Sequence, residues 1–227
     1  MREFDLLQDY PKLKNPRLVG DNLRTIDHRI IAAKRDHNFF DGDRNFGYGG
    51  FKYDGRWKDI AKRIVGEYKL NDKSRLLQIG SEKGFLLNDI KNLLPKIEMI
   101  GLETSEYAIK NSMPSIKENV LLCENYTKLN FPNKHFDFCI ALGVVYTQTL
   151  SDAILLLKEI SRISKKSFIT LASHKNEEDY WLFKQWTLLG SIILKKEEWK
   201  KVMLHSNYKG DFAFTNSEKL NLQRKIN

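Results

Sequence analysis

Two glycines and one acidic residue in the first half of the chain have the types and spacing of a nucleotide-binding site. Gly80 directly follows an apolar run, and Gly84 precedes another, within the segment Gln78–Phe85 (QIGSEKGF). Glycine lets a chain turn sharply after a strand and lets a ligand approach the backbone closely. Glu103 ends the next apolar run, about twenty residues further on, where a carboxylate can accept hydrogen bonds from ribose hydroxyls. The combination predicts a site for a nucleoside-containing ligand.

Proton transfer would need a further group, and the sequence offers two candidate catalytic residues. His174 directly follows a predicted strand, and its imidazole could act as a general base because it titrates near neutral pH. Tyr48 lies in a glycine-rich loop and is the second candidate. The competing interpretations are an exposed loop histidine and a tyrosine that only anchors its loop. No metal site is predicted, because the other histidines lack the spacing of metal ligands.

These positions require strands that end at one edge of a sheet. We predict five buried strands separated by helical patterns, and a sixth near the C-terminus. They are Arg75–Ile79, Glu98–Glu103, Asn119–Cys123, Phe136–Leu142, Ser167–Ser173 and Gly210–Thr215. Such alternation indicates an α/β fold with a mostly parallel sheet of about seven strands and helices on both faces. Ligands of these sheets bind outside the carboxyl ends of the strands.

The chain is expected to form one compact domain with an N-terminal region, residues 1–57, and a core, residues 58–227. Residues 1–20 are predicted to be an irregular arm and residues 21–38 a helix. The stretch 39–57 (FFDGDRNFGYGGFKYDGRW) contains closely spaced glycines, which predict a shaped loop. Helices are predicted in the core at Lys58–Tyr68, Gly84–Leu94, Ser105–Met113, Asp152–Ile163, Glu177–Leu188 and Lys196–Asn207.

The motifs of the core resemble those of class I S-adenosylmethionine-dependent methyltransferases. SRLLQIGSEKGFLL resembles the first motif, usually an acid and then G-x-G-x-G, and GLETSEYAIKN resembles the second, whose acid binds ribose. CENYTKLNFPNKHFDFCIALGVVY resembles the next two blocks. The resemblance covers roughly residues 38–215. It implies a Rossmann-like fold, with S-adenosylmethionine as the cofactor and S-adenosylhomocysteine as the product.

The N-terminal loop adds a resemblance to a subgroup of that family. FDGDRNFGYGGFKYDGRW is similar to a leader found in methyltransferases often linked to surface-polysaccharide or small-sugar modification, and SHKNEEDYWLFKQWTLL fits the same subgroup. The leader would close over the cofactor and shape the acceptor pocket. The residues expected to contact the acceptor are Tyr53, Arg56 and Tyr146. Loop anchoring and core packing are the competing interpretations of these side chains.

The family resemblance also implies which residues hold the cofactor. Gly80 and Gly84 would line its methionine and ribose portions, and Glu103 would bind the ribose hydroxyls. Asn125 would face the adenine amino group, with Tyr126 beside the ring. The full set of implied cofactor contacts is Gln78, Gly80, Ser81, Gly84, Glu103, Thr104, Asn125, Tyr126, Leu142 and Gly143.

Two positions depart from the family pattern. Gln78 stands where an acid is usual, and it loses the charge that would attract the cofactor's ammonium group. Glu82 replaces the middle glycine, so a side chain projects where the backbone normally contacts the nucleoside. Loss of one charge-assisted hydrogen bond costs about 1.5–3 kcal/mol. A non-catalytic relative that keeps the fold as a scaffold therefore remains an alternative.

Composition and charge leave several partners open. The chain has 41% hydrophobic residues, no apolar run of the ~20 residues that span a bilayer, and two cysteines interpreted as unpaired, which together predict a cytoplasmic protein. The net charge of +9 permits nucleic acid, but the lysines are dispersed. We predict methyl transfer to a small molecule, such as a sugar or sugar nucleotide, with an RNA-directed methyltransferase as the alternative. A homodimer is compatible with the sequence.

Overall fold

The structure is a computed structural model that describes residues 1–11 and 15–225. Residues 12–14 of the predicted arm and the last two residues of the predicted core lie outside this range. The strands are β1 (Arg2–Glu3), β2 (Arg17–Val19), β3 (Arg75–Ile79), β4 (Glu98–Glu103), β5 (Val120–Leu122), β6 (Phe136–Ala141), β7 (Ser164–His174), β8 (Leu194–Lys195), β9 (Asp211–Thr215) and β10 (Leu222–Arg224). The helices are α1 (Ile26–Ala33), α2 (His37–Phe40), α3 (Lys58–Tyr68), α4 (Phe85–Leu93), α5 (Glu106–Lys110), α6 (Leu150–Ile163), α7 (Glu177–Trp186) and α8 (Lys196–His205).

The main sheet is parallel, as the alternation of strands and helices predicts. Its strand order is β1-β9-β7-β6-β3-β4-β5, and β8 pairs with the end of β7. The core starts in the middle of this sheet at β3, moves outward through β4 to β5, and then returns to β6 on the other side of β3. The direction of strand addition therefore reverses between β3 and β6. Such a reversal opens a crevice at the carboxyl ends of the two strands.

Two apolar layers hold the helices against the sheet. Successive residues of β3 and β6 point to opposite faces, as pleating requires: Leu76 and Phe138 belong to one layer, and Leu77 and Cys139 to the other. Helices α3 and α4 pack on the first layer, and α6 and α8 pack on the second. All four of these strand residues are fully buried. Burial on both faces explains why the central strands are continuous apolar runs.

The prediction for the core is confirmed with small shifts at the ends of elements. Helix α3 and strands β3 and β4 have the predicted bounds. Strand β7 begins at Ser164, three residues before the predicted start, and the short strand β8 was not predicted. Cys139 is buried, Cys123 is half-buried, and both are free thiols. None of the helices in the described part of the chain has the length and apolar character needed to cross a membrane.

The prediction for the N-terminal region is wrong in two respects. The arm is not irregular throughout, because β1 extends the main sheet beside β9 and β2 pairs with β10 in a separate two-stranded sheet. The single helix predicted over residues 21–38 is instead two helices. Arg35 interrupts them with a left-handed backbone (φ 49°), and Asp36 caps α2 by accepting the N–H of Asn38. Tertiary contacts of Arg35, described below, hold this break in place.

Candidate active site

Two glycines shape the crevice between β3 and β6. Gly80 follows β3 and Gly143 follows β6, and both have left-handed backbones (φ 68° and 73°). A Cβ atom on Gly80 would lie 2.4 Å from a methyl carbon of Val144, so no larger residue fits there without movement. The N–H of Gly80 donates to the carbonyl oxygen of Leu102 (2.8 Å), which ties the turn to β4. The sequence therefore builds a narrow backbone turn at the switch point of the sheet.

Two cavities meet at this turn. The larger has a volume of about 810 Å³ and the smaller about 260 Å³. The residues that line both are Gly80, Glu82, Leu142, Gly143 and Tyr146. Pockets for small molecules usually measure about 300–1,000 Å³. The pair of cavities thus offers space for a nucleoside and a second small molecule at the edge of the sheet where ligands bind.

Most of the predicted cofactor residues lie around these cavities. Gln78 and Ser81 line the smaller cavity, and Thr104, Asn125 and Tyr126 line the larger one. The side-chain oxygen of Gln78 is buried and has no hydrogen-bond partner in the described part of the chain. An unpaired buried acceptor costs about 1–3 kcal/mol. A donor on a ligand in the smaller cavity, such as the ammonium group of S-adenosylmethionine, would satisfy it, so this end of the site fits that cofactor.

Gly84 does not line either cavity. It precedes α4 with a left-handed backbone (φ 73°), and a Cβ atom there would lie 2.3 Å from the Cδ1 atom of Ile116. The close packing of α4 against the segment Pro114–Asn119 therefore accounts for this glycine. The resemblance implies that Gly84 contacts the cofactor, but Gly84 does not line the cavities where the cofactor would bind.

Glu103 is at the end of β4, as predicted, but its carboxylate is already occupied. Its Oε1 atom accepts the main-chain N–H groups of Thr104 (2.8 Å) and Ser105 (2.9 Å). Its Oε2 atom accepts the N–H of Glu82 (2.8 Å). The side chain has no exposed surface and does not line either cavity. The acid that the resemblance assigns to ribose is therefore closed off from the ligand space in this structure.

Arg35 completes this closure. Its Nη2 atom lies 3.0 Å from Oε1 of Glu103, and its own carbonyl oxygen accepts the hydroxyl of Ser105. The guanidinium also lies over the rings of Phe39 (5.2 Å) and Phe40 (5.4 Å). Arg35 lines the larger cavity at the place where Glu103 was expected. The sequence did not indicate this residue, because its partner lies on β4 and only the tertiary fold brings the two together.

Glu82 has the unusual backbone that the middle glycine of the family motif would adopt. Its φ is 51°, in the left-handed region, and its half-buried carboxylate forms no hydrogen bond with the described residues. Burial raises its pKa to about 7, and the negative charge of Glu103 adds to the rise, while Arg35 opposes it. The carboxylate therefore faces both cavities as a group that can gain or lose a proton near neutral pH.

Asn125 lies at the rim of the larger cavity, but its side-chain oxygen is used locally. It accepts both the N–H (3.1 Å) and the hydroxyl (2.7 Å) of Thr127, in the turn that follows β5. A carbonyl oxygen has two lone pairs, so no acceptor remains for an adenine amino group in this arrangement. Tyr126 is buried beside it, and burial raises the pKa of its hydroxyl well above the usual range.

Lys83 anchors the N-terminal loop to the turn after β3, a role that the sequence did not reveal. Its buried Nζ atom lies 2.6 Å from a carboxylate oxygen of Asp41 and 3.2 Å from the carbonyl oxygen of Phe51. Asp41 also accepts the hydroxyl of Tyr107 (2.7 Å). An ion pair so far removed from water is costly to break from one side. The loop 41–57 is therefore fixed against the cavities rather than free in solution.

The two predicted catalytic residues are not placed as free proton acceptors. His174 lines neither cavity, and its ring lies beside that of Tyr180 (5.2 Å between centroids). Tyr48 does line the larger cavity, but its hydroxyl oxygen accepts the N–H groups of Leu188 (2.6 Å) and Leu189 (2.9 Å). These contacts tie the N-terminal loop to the segment after α7, which matches the alternative interpretation of Tyr48 as an anchor.

Of the three residues expected to contact the acceptor, only Tyr146 lines the cavities. Burial raises the pKa of its hydroxyl, which lies near Gly143. Tyr53 is exposed and donates to Asp89, and this hydrogen bond raises its pKa to about 12. Arg56 pairs with Asp54 within its own loop. Tyr53 and Arg56 therefore stabilise the loop in this structure, because a carboxylate of α4 holds the first and a carboxylate of the loop holds the second.

Comparison with known proteins agrees with this architecture. Residues 77–169 match the model of a methyltransferase domain. The fold is similar to that of YcgJ from Bacillus subtilis (TM-score 0.53, 16% identity, covering 64% of this chain and 66% of that one). It is also similar to a protein of Bacillus halodurans classed as a methyltransferase (TM-score 0.52, 14% identity, 64% and 67%). A third similar structure is the cyclase SpnF (TM-score 0.52, 16% identity, 66% and 57%).

These structural similarities concern the fold, because all three identities are low and the chain spans only about 57–67% of the length of those proteins. No curated protein matches the sequence significantly. The match to the domain model covers β3 to the middle of β7, which includes the turn after β3, Glu103 and the end of β6. Residues 77–169 therefore match a methyltransferase domain, and the structure has the fold of class I methyltransferases.

Proposed function

We propose that the protein transfers a methyl group from S-adenosylmethionine to a small-molecule acceptor, with a sugar or a sugar nucleotide as the class. The junction of the two cavities at Gly80 and Gly143 carries this proposal. One cavity has the orphan acceptor of Gln78, and the other has room for a nucleoside and a further molecule. The N-terminal loop supports the sugar class, because it resembles the leader of sugar-modifying relatives and forms part of both cavity walls.

The chain's own residues would hold the cofactor from two sides. Gln78 and Ser81, which line the smaller cavity, would meet the methionine portion, and Thr104 and Tyr126, which line the larger one, would meet the nucleoside. Glu103 could accept ribose hydroxyls only after Arg35 moves away, because its carboxylate is fully buried and is paired with the guanidinium of Arg35. When bound, S-adenosylmethionine supplies a methyl group on a positively charged sulfur. Alignment of the acceptor then provides most of the rate enhancement.

Glu82 is the group that we assign to proton removal from a hydroxyl acceptor. It lines both cavities and has no hydrogen-bond partner in the described part of the chain, and its pKa of about 7 suits a general base. Once an acceptor is known, Glu82→Gln is expected to slow methyl transfer by about 10²–10⁴-fold while cofactor binding persists. Tyr146, which also lines both cavities, would orient the acceptor.

The first test is binding of S-adenosylmethionine and S-adenosylhomocysteine, measured by thermal shift and confirmed by calorimetry. At a hundredfold excess over its dissociation constant a ligand adds about 2.7 kcal/mol, which raises the melting temperature by roughly 5–10 °C in a domain of this size. Gln78→Leu should weaken binding by about tenfold without loss of stability, because it removes an unpaired buried acceptor. Gln223→Leu, an exposed position outside the cavity linings, is the matched control.

A non-catalytic scaffold is the second candidate function, and the closure of Glu103 by Arg35 favours it. The same titration separates the two. If wild-type protein shows neither a thermal shift nor heat at millimolar cofactor, the enzyme proposal is wrong and the scaffold is supported. If binding occurs and depends on Gln78, the scaffold is excluded and the search turns to acceptors.

A further inference from the structure

Four arginines form a cluster next to the larger cavity: Arg17, Arg24, Arg29 and Arg44. The guanidinium groups of Arg17 and Arg24 lie over the indole ring of Trp186, at 5.4 Å and 5.5 Å from its centroid. Arg24 and Arg44 both donate to the carbonyl oxygen of Gly47. These contacts place two of the arginines over one aromatic ring and a third beside them, although the members of the cluster come from β2, α1 and two loops.

Arg29 and the aromatic rings connect the arginine cluster to the cavity. Arg29 donates to the carbonyl oxygen of Lys184 (2.7 Å) in the last turn of α7, and it lines the larger cavity together with Tyr48 and Trp186. Arg24 lies over the ring of Tyr48 (5.2 Å). The positive charge therefore begins at the cavity wall and continues to the surface, where Arg44 is exposed.

Within residues 1–11 and 15–225, no carboxylate forms an ion pair with this charge. None of the ion pairs in the described residues includes a member of the arginine cluster. Their hydrogen bonds go to main-chain carbonyl oxygens of Gly47, Lys184, Trp186 and Leu220. The C-terminus of α7 contributes about half a negative charge at most. Four positive charges therefore remain largely uncompensated.

Burial makes this arrangement costly without a counter-charge. Loss of solvent lowers the pKa of Arg24 to about 10, and repulsion from the other three arginines contributes to that shift. Burial also lowers the pKa of Arg17, and repulsion from Arg44 adds to that shift. A guanidinium has several N–H donors in a plane, and each member of the arginine cluster uses only one or two of them on the protein. The free donors match the oxygens of a phosphate group.

We propose that the arginine cluster binds a phosphate or diphosphate group carried by the methyl acceptor. The identification of the ligand as the methyl acceptor rests on the proposed function, whereas the anion site does not depend on it. A small molecule fits better than nucleic acid, because two of the arginines lie over a single indole beside the cavity and the cluster does not form an extended basic stripe. A phosphorylated sugar or a sugar nucleotide has the required chemistry.

The test uses inorganic pyrophosphate as the probe, with the full chain and without S-adenosylmethionine. Calorimetry should detect saturable binding that weakens as sodium chloride is raised, because the contacts are between charges. The double variant Arg24→Gln, Arg44→Gln should bind at least tenfold more weakly. Its matched control is Arg63→Gln, Arg224→Gln, which removes the same charge from arginines that already pair with Asp9 and Glu178. The control should change the dissociation constant less than twofold.

Each result has a definite meaning. Absence of heat from the wild type, or equal weakening in the control, overturns the site. A single-stranded RNA 20-mer that binds at least a hundredfold more tightly than pyrophosphate, with the same dependence on Arg24 and Arg44, overturns the small-molecule form. Circular dichroism and melting of the double variant check its fold, which should persist because like charges have been removed. Cofactor is absent from the assay, so failure of the methyltransferase proposal leaves this result unaffected.

Discussion

Arg35 and the arginine cluster both border the larger cavity, the cluster through Arg29, and they have opposite electrostatic environments. Arg35 is paired with the buried carboxylate of Glu103, and that carboxylate accepts further hydrogen bonds from three main-chain N–H groups. The arginine cluster contacts aromatic rings and carbonyl oxygens, and among the described residues it has no acidic partner. A satisfied arginine therefore holds the cavity together, whereas arginines without an acidic partner among the described residues remain available to a ligand.

The largest effect is expected on the Arg35 side. Arg35→Gln leaves Glu103 buried without its cation, which should lower the free energy of unfolding by about 3 kcal/mol and the melting temperature by roughly 10 °C. Arg63→Gln, which breaks a partly exposed pair with Asp9, should change stability by less than about 1 kcal/mol. Urea denaturation measures both. Equal effects of the two variants would show that Arg35 is not a structural anchor.

A smaller effect is expected at the boundary between the two regions. Glu82→Gly restores a residue that tolerates the left-handed backbone at φ 51°, and it removes the side chain from the ligand space. Binding of S-adenosylhomocysteine should tighten by about tenfold, or about 1.4 kcal/mol. Calorimetry measures this change. Glu82→Ala is the control for side-chain removal alone, and unchanged affinity in both variants would mean that Glu82 does not obstruct the cofactor.

Stability should also depend on pH through Glu82. Its pKa is raised from 4.5 to about 7 in the folded protein, so the folded state binds more protons than the unfolded state between these values. The contribution of Glu82 to the free energy of unfolding therefore falls as pH rises from about 4.5 to about 7, by on the order of 1 kcal/mol after allowance for partial exposure. Glu82→Gln should remove this slope. Urea titrations at pH 5 and pH 8 test it, and an identical slope in the variant would contradict the assignment.

The smallest effect, and one of opposite sign, is expected within the arginine cluster. Arg44→Gln relieves repulsion with Arg17 and Arg24 and breaks no ion pair, so stability without ligand should stay the same or rise by up to about 0.5 kcal/mol. Thermal melting in phosphate-free buffer measures this. A loss of more than about 1 kcal/mol would show that the cluster is a structural feature, and the contrast with Arg35 would then fail.

Much of the fold could be predicted from sequence, because it depends on local patterns. Strands β3, β4 and β6 are apolar runs buried on both faces, and α3 has its apolar residues on one side. The N-terminal region could not be predicted in the same way. The break between α1 and α2 at Arg35 is stabilised by Ser105 and Glu103, which are distant in sequence. Local propensity alone favours one continuous helix there.

Three features followed from the sequence: the parallel α/β core, the turn after β3 and the acid at the end of β4. The core depends on apolar periodicity, and the turn and the acid depend on where a glycine or a carboxylate stands within one segment. Only the tertiary structure decided which polar groups are free. It closed Glu103 with Arg35, tied up Tyr48 and left Glu82 and Gln78 lining the cavities. It also brought four arginines together with no acidic partner among the residues that the structure describes. The physical reason is that charge pairing and burial depend on neighbours from distant parts of the chain, which no local pattern encodes.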